Sequence, residues 1–480
     1  MRYFGYFGDL NRATPSTKFD GGYPLLYDNG FTDLVPNFNH AGSGFDFYPS
    51  AFVNAAFTIW RRYMLSVSGR IDQSNLFGAK TNNQSIPLGS LGFKWNAGDE
   101  SFYPLSFLPY CTIRASYGYS GNVDKRTTAY TSAVIGPVNR YNAIPMEIIS
   151  PDNPYLRWER SGLFNAAIEL ADRKRQWEVS FEYYRRKSNF LLAPGAQDPT
   201  LGSSFFWGNN AAMVGSGFDF SLATNHAFGR KWRLNNLLLI SKTTNKVTRY
   251  DNPYKQAWYY TDPGFLSPNA GASVYSLYAY KWGGLDTAGN PQGYLDGRLS
   301  KNYDSIQSSS PNSLLRAGSS VPVYFGSLYT SLGYGRFTLG ATLIFKAKYY
   351  IRRSSVNYSE PLNFPTAGLN DYANRWQRAG DEKSTYVPSL KGDDPLRDLF
   401  YSHSNPLVVK GDQIRLYDVS LSYSMPSTML RKWKLQAMSL YLIGNNIGFL
   451  WKSAPGKIDP DYLTGSPEPG NITVGVKCVF

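Results

Sequence analysis

The final segment of the chain, Asn471–Phe480, alternates between apolar and polar side chains. Val479 breaks the pattern, and the apolar positions are Ile472, Val474, Val476, Cys478 and Phe480. A period of two residues puts these side chains on one face of a β-strand, because successive side chains of a strand point to opposite faces. The segment therefore predicts a strand that separates an apolar medium from a polar one.

Similar alternation recurs along the chain and predicts about 13 strands, if the strand-like insert Ser273–Trp282 is left out of the count. The links between these strands are alternately short and long, and the long ones reach roughly 70 residues. The short links are predicted at 61–62, 97–109, 171–175, 227–231, 334–336 and 426–434. Outer-membrane barrels combine short periplasmic turns with long extracellular loops. The pattern thus predicts an all-β, antiparallel transmembrane barrel with Phe480 at its periplasmic rim.

The overall composition agrees with a membrane barrel and argues against other classes of protein. Phe, Trp and Tyr make up 16% of the chain, and such barrels carry aromatic girdles at both membrane interfaces. The mean hydropathy is −0.36, and no apolar run is long enough for a helical membrane span. The net charge is +14, but Lys and Arg are scattered rather than grouped in a nucleic-acid-binding motif. We therefore expect contact with lipid headgroups or anionic solutes, and no nucleic-acid partner.

No constellation of residues suggests catalysis, a cofactor or a metal. His40, His226 and His403 are isolated, without the spacing of a metal site or a neighbouring nucleophile motif. Cys111 and Cys478 fall in strand patterns and belong to no metal-binding motif, so we expect them to be unpaired. We predict that the chain is not an enzyme and needs no cofactor.

Several segments, taken in order, resemble the SusC/RagA-type TonB-dependent outer-membrane transporters. The matching segments are Arg70–Asp72, Ile86–Trp95, Ile113–Asn122, Asn153–Glu159, Asn210–Asp219, Tyr280–Asp286, Gly411–Tyr423 and Tyr441–Asn446. Gly215 and Ser216 depart from the family's usual residues. The resemblance covers nearly all of the chain after the first predicted loop.

The resemblance implies that the chain is the C-terminal part of a larger barrel. Barrels of this family have about 22 strands and a plugged lumen. We therefore expect an extracellular loop at 1–50, followed by the C-terminal part of the barrel at 51–480. The signal peptide, the TonB-contacting segment, the plug and about nine strands have no counterpart in the sequence. Ile472, Val474, Val476 and Phe480 would lie on the strand that closes the barrel, although the sequence does not say what it closes against.

The same resemblance implies nutrient import across the outer membrane of a Gram-negative, Bacteroidetes-like cell. The family imports oligosaccharides or peptides with a SusD-like lipoprotein lid, and the TonB-ExbB-ExbD complex would act only through the missing N-terminal part. Lipid and lipopolysaccharide would surround the barrel, and the chain alone is not expected to perform active transport. Two alternatives stay open: a passive porin, which predicts an even strand number and a signal peptide, and a soluble glycan-binding β-protein, which predicts no lipid-facing belt.

Aromatic side chains in the predicted extracellular loops are the candidate substrate contacts, because aromatic faces can stack on sugar rings. The candidates are Phe205, Phe206, Trp207, Trp258, Tyr259 and Tyr260. The alternative is that these residues belong to an interfacial girdle or pack the loops together. Arg352 and Arg353 could reach lipopolysaccharide or an anionic solute, and the alternative, which we favour, interprets both as solvated loop or rim charges. We further expect charged lumen residues to pair across strands, namely Arg70, Asp72, Arg114, Glu178 and Glu182.

Overall fold

Thirteen antiparallel strands form one continuous sheet, and each strand pairs with its neighbours in chain order. The computed structural model describes residues 23–26, 32–35, 49–73, 85–123, 130–136, 143, 145–196, 200, 205–251, 253–262, 264, 267–359, 369–390, 394–432, 435–463 and 467–479. The sheet strands are β1 (Ser50–Ile59), β2 (Tyr63–Gln73), β3 (Ser85–Asn96), β4 (Tyr110–Asn122), β5 (Glu159–Ala171), β6 (Trp177–Ala196), β7 (Phe205–Phe228), β8 (Trp232–Tyr250), β9 (Tyr324–Tyr334), β10 (Phe337–Ala347), β11 (Gln413–Ser424), β12 (Ala437–Lys452) and β13 (Asn471–Val479). These strands confirm the predicted all-β antiparallel architecture.

Five small strand pairs and several short helices lie outside this sheet. The pairs are Tyr23–Leu26 with Thr32–Val35, Ser132–Ile135 with Met146–Ser150, Ser276–Ala279 with Leu315–Ser319, Gly293–Leu295 with Arg298–Ser300, and Tyr350–Arg352 with Val408–Lys410. The α-helices are α1 (Trp258–Thr261), α2 (Tyr303–Ser308), α3 (Pro395–Ser402) and α4 (Ser427–Lys432), and 3₁₀ turns span Ala97–Asp99, Pro311–Ser313, Leu369–Asn374, Asp381–Lys383 and Asn405–Leu407. Within the described ranges, no helix is both long and apolar enough to cross a membrane.

The insert at Ser273–Trp282 is confirmed as a strand outside the main sheet, since Ser276–Ala279 pairs only with Leu315–Ser319. The described residues of the N-terminal region, which is predicted to be an extracellular loop, include the hairpin of Tyr23–Leu26 and Thr32–Val35. The remaining residues of this region up to 48 lie outside the described part.

The tight turns that join the strands sit at one edge of the sheet, which we call the short-link edge. Four of these turns use the left-handed backbone region: Trp60 and Arg61 have φ of 50° and 59°, Arg175 has φ of 51°, and Gly229 and Gly335 have φ of 62° and 60°. Turns of this kind match the twist of the flanking strands and bring the chain back within a few residues. The remaining links leave from the opposite, long-link edge, as the sequence predicted.

One face of the sheet carries continuous rows of large apolar side chains. A row of aliphatic residues crosses six strands through directly paired positions: Leu234, Leu332, Leu339, Leu421, Leu442 and Val474. An aromatic row follows it at the short-link edge: Phe228, Trp232, Tyr334, Phe337 and Tyr423. Leu339 and Phe337 expose half of their surface, at 50% and 52%. An exposed apolar belt with an aromatic margin is what a lipid-facing barrel surface requires.

The two outer strands of the sheet, β1 and β13, each pair on one side only among the described residues. In β13, Ile472 and Val474 are each 77% exposed and Val476 is 54% exposed. The register of β13 with β12 confirms the predicted common face of these three residues. Phe480, the fourth residue assigned to this face, lies outside the described part of the chain.

Candidate functional site

The face opposite the apolar belt, which we call the lumen face, carries ion pairs and polar side chains beside apolar residues such as Leu237 and Tyr329. Arg114 on β4 contacts Glu169 on β5 at 2.6 Å and Glu182 on β6 at 3.9 Å. The Asn165 amide donates to Glu182 at 2.5 Å. This network confirms the predicted cross-strand pairing for Arg114 and Glu182, since paired strands bring opposite charges within reach.

The other predicted lumen pairs form differently. Arg70 pairs with Asp72 two residues along the same strand, not with a charge on another strand. Glu178 contacts Arg175 of the adjacent turn at 3.4 Å. Side chains two residues apart share a face of a strand, so a long Arg can reach its own strand's carboxylate instead of a neighbour's.

The two longest links, 251–323 and 348–412, fold against each other into an assembly that we call the cap. Its centre is a cluster of side chains from both links, with Phe400 completely buried among Tyr278, Tyr280, Tyr303 and Ile306. The Tyr280 N–H donates to the His403 carbonyl at 3.0 Å, so backbone hydrogen bonds also join the links. The long links are therefore a packed unit at the long-link edge, with a hydrophobic core of their own.

Arg352 and Arg353 hold the cap together, and the interpretation of both as loop or rim charges was wrong. The Arg352 guanidinium donates to the carbonyls of Thr261 and Tyr278, which belong to the other link. Burial lowers the pKa of Arg352 to about 10. Arg353 is buried against Asp371, with a nitrogen–oxygen distance of 2.5 Å. Both guanidiniums face inwards because the folded links supply carbonyl and carboxylate acceptors there.

The last long link, 453–470, attaches to the lumen face through a buried ion pair. Arg415 on β11 donates to both carboxylate oxygens of Asp459 at 2.7 Å. Lys346 and Gln413 both contact Asp461 in the same link, at 2.7 and 2.9 Å. Both contacts of Arg415 with Asp459 come from one guanidinium nitrogen, Nη2, while Nη1 donates to the Asn446 side chain at 2.8 Å, so this link is attached to the lumen face through charge-assisted hydrogen bonds.

The first candidate aromatic cluster, Phe205–Trp207, lies on a strand and not in a loop. β6 and β7 extend beyond the predicted strands and pair Trp207 with Pro194 and Phe206 with Gly195. The prediction failed because Pro194, Gly195 and the register shifts after Ser188 interrupt the period-two pattern. The placement of Phe205 as the first residue of β7 is described, whereas its side chain is not. Trp207 is 38% exposed at the end of this long hairpin.

The second candidate cluster, Trp258–Tyr260, forms most of α1 within the cap. Tyr259 lies between two rings, with centroid distances of 4.0 Å to Tyr254 and 3.8 Å to Trp258. Tyr260 instead packs against the buried cluster and donates its hydroxyl to the Tyr254 carbonyl at 3.1 Å. Tyr260 thus helps to pack the links, which is the alternative role, and substrate contact stays a prediction for all six aromatic residues.

The described residues include no group of three or more His, Cys, Asp or Glu side chains that could hold a metal. His403 is partly buried in the cap, where desolvation lowers its pKa to about 4, and its Nδ1 lies 2.9 Å from the Leu399 carbonyl. His226 packs in the aromatic margin, 5.1 Å from the Trp177 ring. Cys111 and Cys478 are unpaired thiols, as predicted. His40 lies outside the described residues.

Sequence relatives of this chain are receptors. The chain is 23% identical to TonB-dependent receptor P3 of Formosa agariphila over 93% of this chain and 46% of the relative. It is 24% identical to TonB-dependent receptor P26 of the same organism over 87% of this chain and 44% of the relative. The chain therefore spans about half the length of the relatives it matches. No protein-family model matches the chain.

Solved structures give the same fold. The RagAB peptide importer in its closed-closed state superimposes with a TM-score of 0.73 at 18% identity, over 95% of this chain and 50% of that chain. The open-open state of the same importer gives a TM-score of 0.73 at 19% identity, over 95% and 49%. Receptors and transporters, rather than enzymes, are thus the proteins that this chain is similar to, and the resemblance noted in the sequence is confirmed.

Proposed function

Because this chain has the barrel fold of the SusC/RagA-type TonB-dependent transporters, we propose that it supplies barrel wall, lumen lining and extracellular cap to an outer-membrane nutrient importer. The observation that carries the proposal is the division of the sheet into two faces. The belt from Leu234 to Val474 is apolar and exposed, whereas the lumen face holds the Arg114 network. The alternative of a soluble glycan-binding protein predicts no such belt.

The proposed substrate is a peptide or an oligosaccharide that enters through the cap. The likeness to a peptide importer supports the peptide. The rings of Trp207 and Trp258 supply flat apolar surfaces that suit a sugar or an aromatic side chain, and Tyr259 stacks against Trp258. A polar cleft of about 420 Å³ also opens in the cap, lined by Asp371, Asn374, Arg375, Asp381, Thr385 and Tyr386. Its charged and amide groups suit a hydrophilic ligand.

The proposed partner is a SusD-like lipoprotein that covers the cap, and the proposed source of energy is TonB acting on the complete transporter. The two-component name of the RagAB importer supports a paired assembly. A rigid cap, packed around Phe400 and held by Arg352, would provide a fixed surface for such a lid.

Orientation in the membrane tests the proposed function. Proteinase K added to intact cells is expected to cleave the protein within its long links and to leave the short links uncut, because the cap would face the medium. Purified protein is expected to need detergent and to migrate differently on gels before and after heating. Solubility without detergent, or cleavage of the short links in intact cells, would contradict the proposal.

Substrate class is tested separately by titrating the detergent-solubilised protein with peptides and with oligosaccharides while following tryptophan fluorescence. Trp207→Ala and Trp258→Ala are expected to weaken binding of the recognised class about 10-fold or more, because a lost stacking contact costs about 1–3 kcal/mol. Trp177→Ala, at the far edge of the sheet, is the matched control and should leave binding unchanged. Equal effects of all three substitutions would remove the aromatic candidates from the site.

A further inference from the structure

Three tight turns at the short-link edge share one arrangement, in which cationic residues stand between two aromatic residues. The turns are Trp60-Arg61-Arg62-Tyr63, Phe228-Gly229-Arg230-Lys231-Trp232 and Tyr334-Gly335-Arg336-Phe337. A fourth turn, Asp172–Gln176, carries Arg173, Lys174 and Arg175 directly before Trp177. We call these turns together the basic rim. The arrangement joins two properties, positive charge and exposed aromatic surface, at the same level of the sheet.

Two of the eight cations of the basic rim have a carboxylate partner, Arg62 with Glu100 and Arg175 with Glu178. The other six are exposed and have no carboxylate partner among the described residues. This holds for Arg61, Arg173, Lys174, Arg230, Lys231 and Arg336. The nearby carboxylates accept from Arg62, Arg175 and groups outside these six cations. Asp172 accepts the backbone N–H of Trp177 at 2.8 Å, and Glu100 accepts the Tyr63 hydroxyl at 2.6 Å and an Arg62 nitrogen at 3.0 Å. The rim therefore presents a surplus of positive charge that the described protein does not neutralise.

The aromatic residues that flank these cations indicate at which depth of a bilayer the positive charge lies. Phe228, Trp232, Tyr334 and Phe337 continue the apolar belt at its margin, and each is 45–56% exposed. Trp60, beside Arg61, is 80% exposed. Aromatic margins of this kind lie at the headgroup level of a bilayer. The neighbouring guanidinium and ammonium groups then lie in the layer of the headgroup phosphates.

We propose that the basic rim binds the phosphate groups of anionic phospholipids in the adjoining leaflet. The proposal rests on the proposed function, because it requires the apolar belt to face lipid. Guanidinium groups donate two parallel hydrogen bonds to phosphate oxygens, and a Lys ammonium adds a point charge. A soluble acidic polymer would give the exposed rings beside each cation no apolar surface to contact. Lipid supplies both the phosphate and the hydrocarbon.

A tryptophan-quenching experiment tests the rim without altering its reporter rings. Phosphatidylglycerol with brominated short acyl chains is titrated into the detergent-solubilised full chain, with brominated phosphatidylcholine as the zwitterionic comparison and inorganic phosphate as a competitor. The rim variant combines Arg61→Gln, Lys174→Gln, Arg230→Gln, Lys231→Gln and Arg336→Gln, and it keeps Trp60 and Trp232. The control variant removes the same number of exposed cations from the long links: Lys255→Gln, Lys281→Gln, Arg298→Gln, Arg316→Gln and Lys457→Gln.

The wild-type protein and the control variant are expected to be quenched by phosphatidylglycerol at lower concentration than by phosphatidylcholine. The rim variant should need at least about 10-fold more phosphatidylglycerol, since each basic residue contributes about a fivefold preference at an anionic surface. High salt should reproduce much of that loss in the wild type. Inorganic phosphate at equal concentration should not compete, because it lacks the acyl chains.

Each other outcome has a separate meaning. A rim variant that is quenched like the wild type overturns the proposed site, as does an equal loss in the control variant. Equal quenching by both lipids retains a lipid-facing belt and removes the anionic preference. Competition by inorganic phosphate makes the rim a general anion site and overturns the lipid assignment. Quenching by neither lipid contradicts both the rim and the proposed function. Heat-dependent gel migration of all three proteins checks that each is folded.

Discussion

Large apolar side chains are exposed on one face of the sheet but buried in the centre of the cap. In the sheet, Leu339 and Ile472 expose 50% and 77% of their surface, and polar groups such as Arg114 lie on the opposite face. In the cap, Phe400 and Tyr401 are completely buried. A side chain's position follows from the medium that it meets: the sheet is arranged for hydrocarbon on its outer face, and the cap has the core of a small water-soluble domain.

The largest effect is expected in the core of the cap. Phe400→Ala removes a fully buried ring that contacts both long links, and such a substitution costs about 3–5 kcal/mol. Hydrogen exchange at the amides of α3 and of Tyr280 is expected to become much faster, while exchange in β10 stays as in the wild type. The neighbouring exposed residue provides the control, because Leu399→Ala removes a side chain that is already 43% exposed. Faster exchange in the sheet as well would show that cap and sheet unfold together.

The second prediction concerns the ion pair that joins the last long link to the sheet. Asp459→Asn removes the nearer of two carboxylates from the buried Arg415 guanidinium and leaves Asp461 at 3.7 Å, and breaking a buried pair costs about 3–5 kcal/mol. We expect proteases to cut the link 453–463 far sooner in the variant. Glu178→Gln breaks the exposed pair with Arg175 and is expected to cost less than about 1 kcal/mol. Equal sensitivity of the two variants to protease would mean that the Asp459 pair is not what holds the link.

The third prediction compares two leucines of similar exposure, Leu339 in the belt and Leu399 in the cap, at 50% and 43%. Leu339→Arg is expected to lower the free energy of unfolding from lipid by about 2–4 kcal/mol, because a charge facing hydrocarbon is costly. Leu399→Arg meets water and should change stability by no more than about 0.5 kcal/mol. Urea unfolding of protein inserted in vesicles measures both. Similar costs at the two positions would contradict the assignment of the belt to lipid.

Alternation in the sequence was sufficient to predict the sheet, because every second residue of a strand between two media faces the same medium and matches its polarity. All the predicted strands are present, from the one that begins at Ser50 to the one that ends at Val479. The errors at strand ends occur where the pattern is interrupted, as at Pro194 and Gly195. Each wall strand meets only its neighbours in the chain, so its pattern is local.

The cap could not be predicted in this way, because its core joins residues that are distant in sequence. Tyr280 and Ser404 form a parallel bridge between two links, and neither link shows a regular period. Arg352 and Arg353 resemble surface charges until the carbonyls of Thr261 and Tyr278 are placed beside the first and Asp371 beside the second. The candidate residues Trp258 and Tyr260 could not be told apart from the sequence either. In the folded cap, Tyr260 packs against the buried cluster, whereas Trp258 is a partly exposed ring.

The smallest expected effect separates the two regions by pH. His403 in the cap has a pKa lowered to about 4 by burial, whereas the ordinary value is 6.5, so the unfolded cap binds a proton at a pH where the folded cap does not. Stability of the cap is therefore complete above about pH 6.5 and falls as the pH is lowered towards 4, by about 2 kcal/mol between pH 7 and pH 5. Hydrogen exchange in α3, corrected for its intrinsic pH dependence, should report this slope.

His403→Asn removes the titrating group and keeps a donor for the Leu399 carbonyl, which lies 2.9 Å from Nδ1 in the wild type. The pH dependence of exchange in α3 should become shallower in this variant between pH 5 and pH 7, while carboxylates titrate alike in both proteins. Exchange in β10 should follow the same curve with and without the substitution, since the belt around Leu339 contains no comparable histidine among its paired residues. An unchanged slope in α3 would show that His403 is solvated in the cap, and a matching change in β10 would show that the cap and the sheet share one unfolding transition.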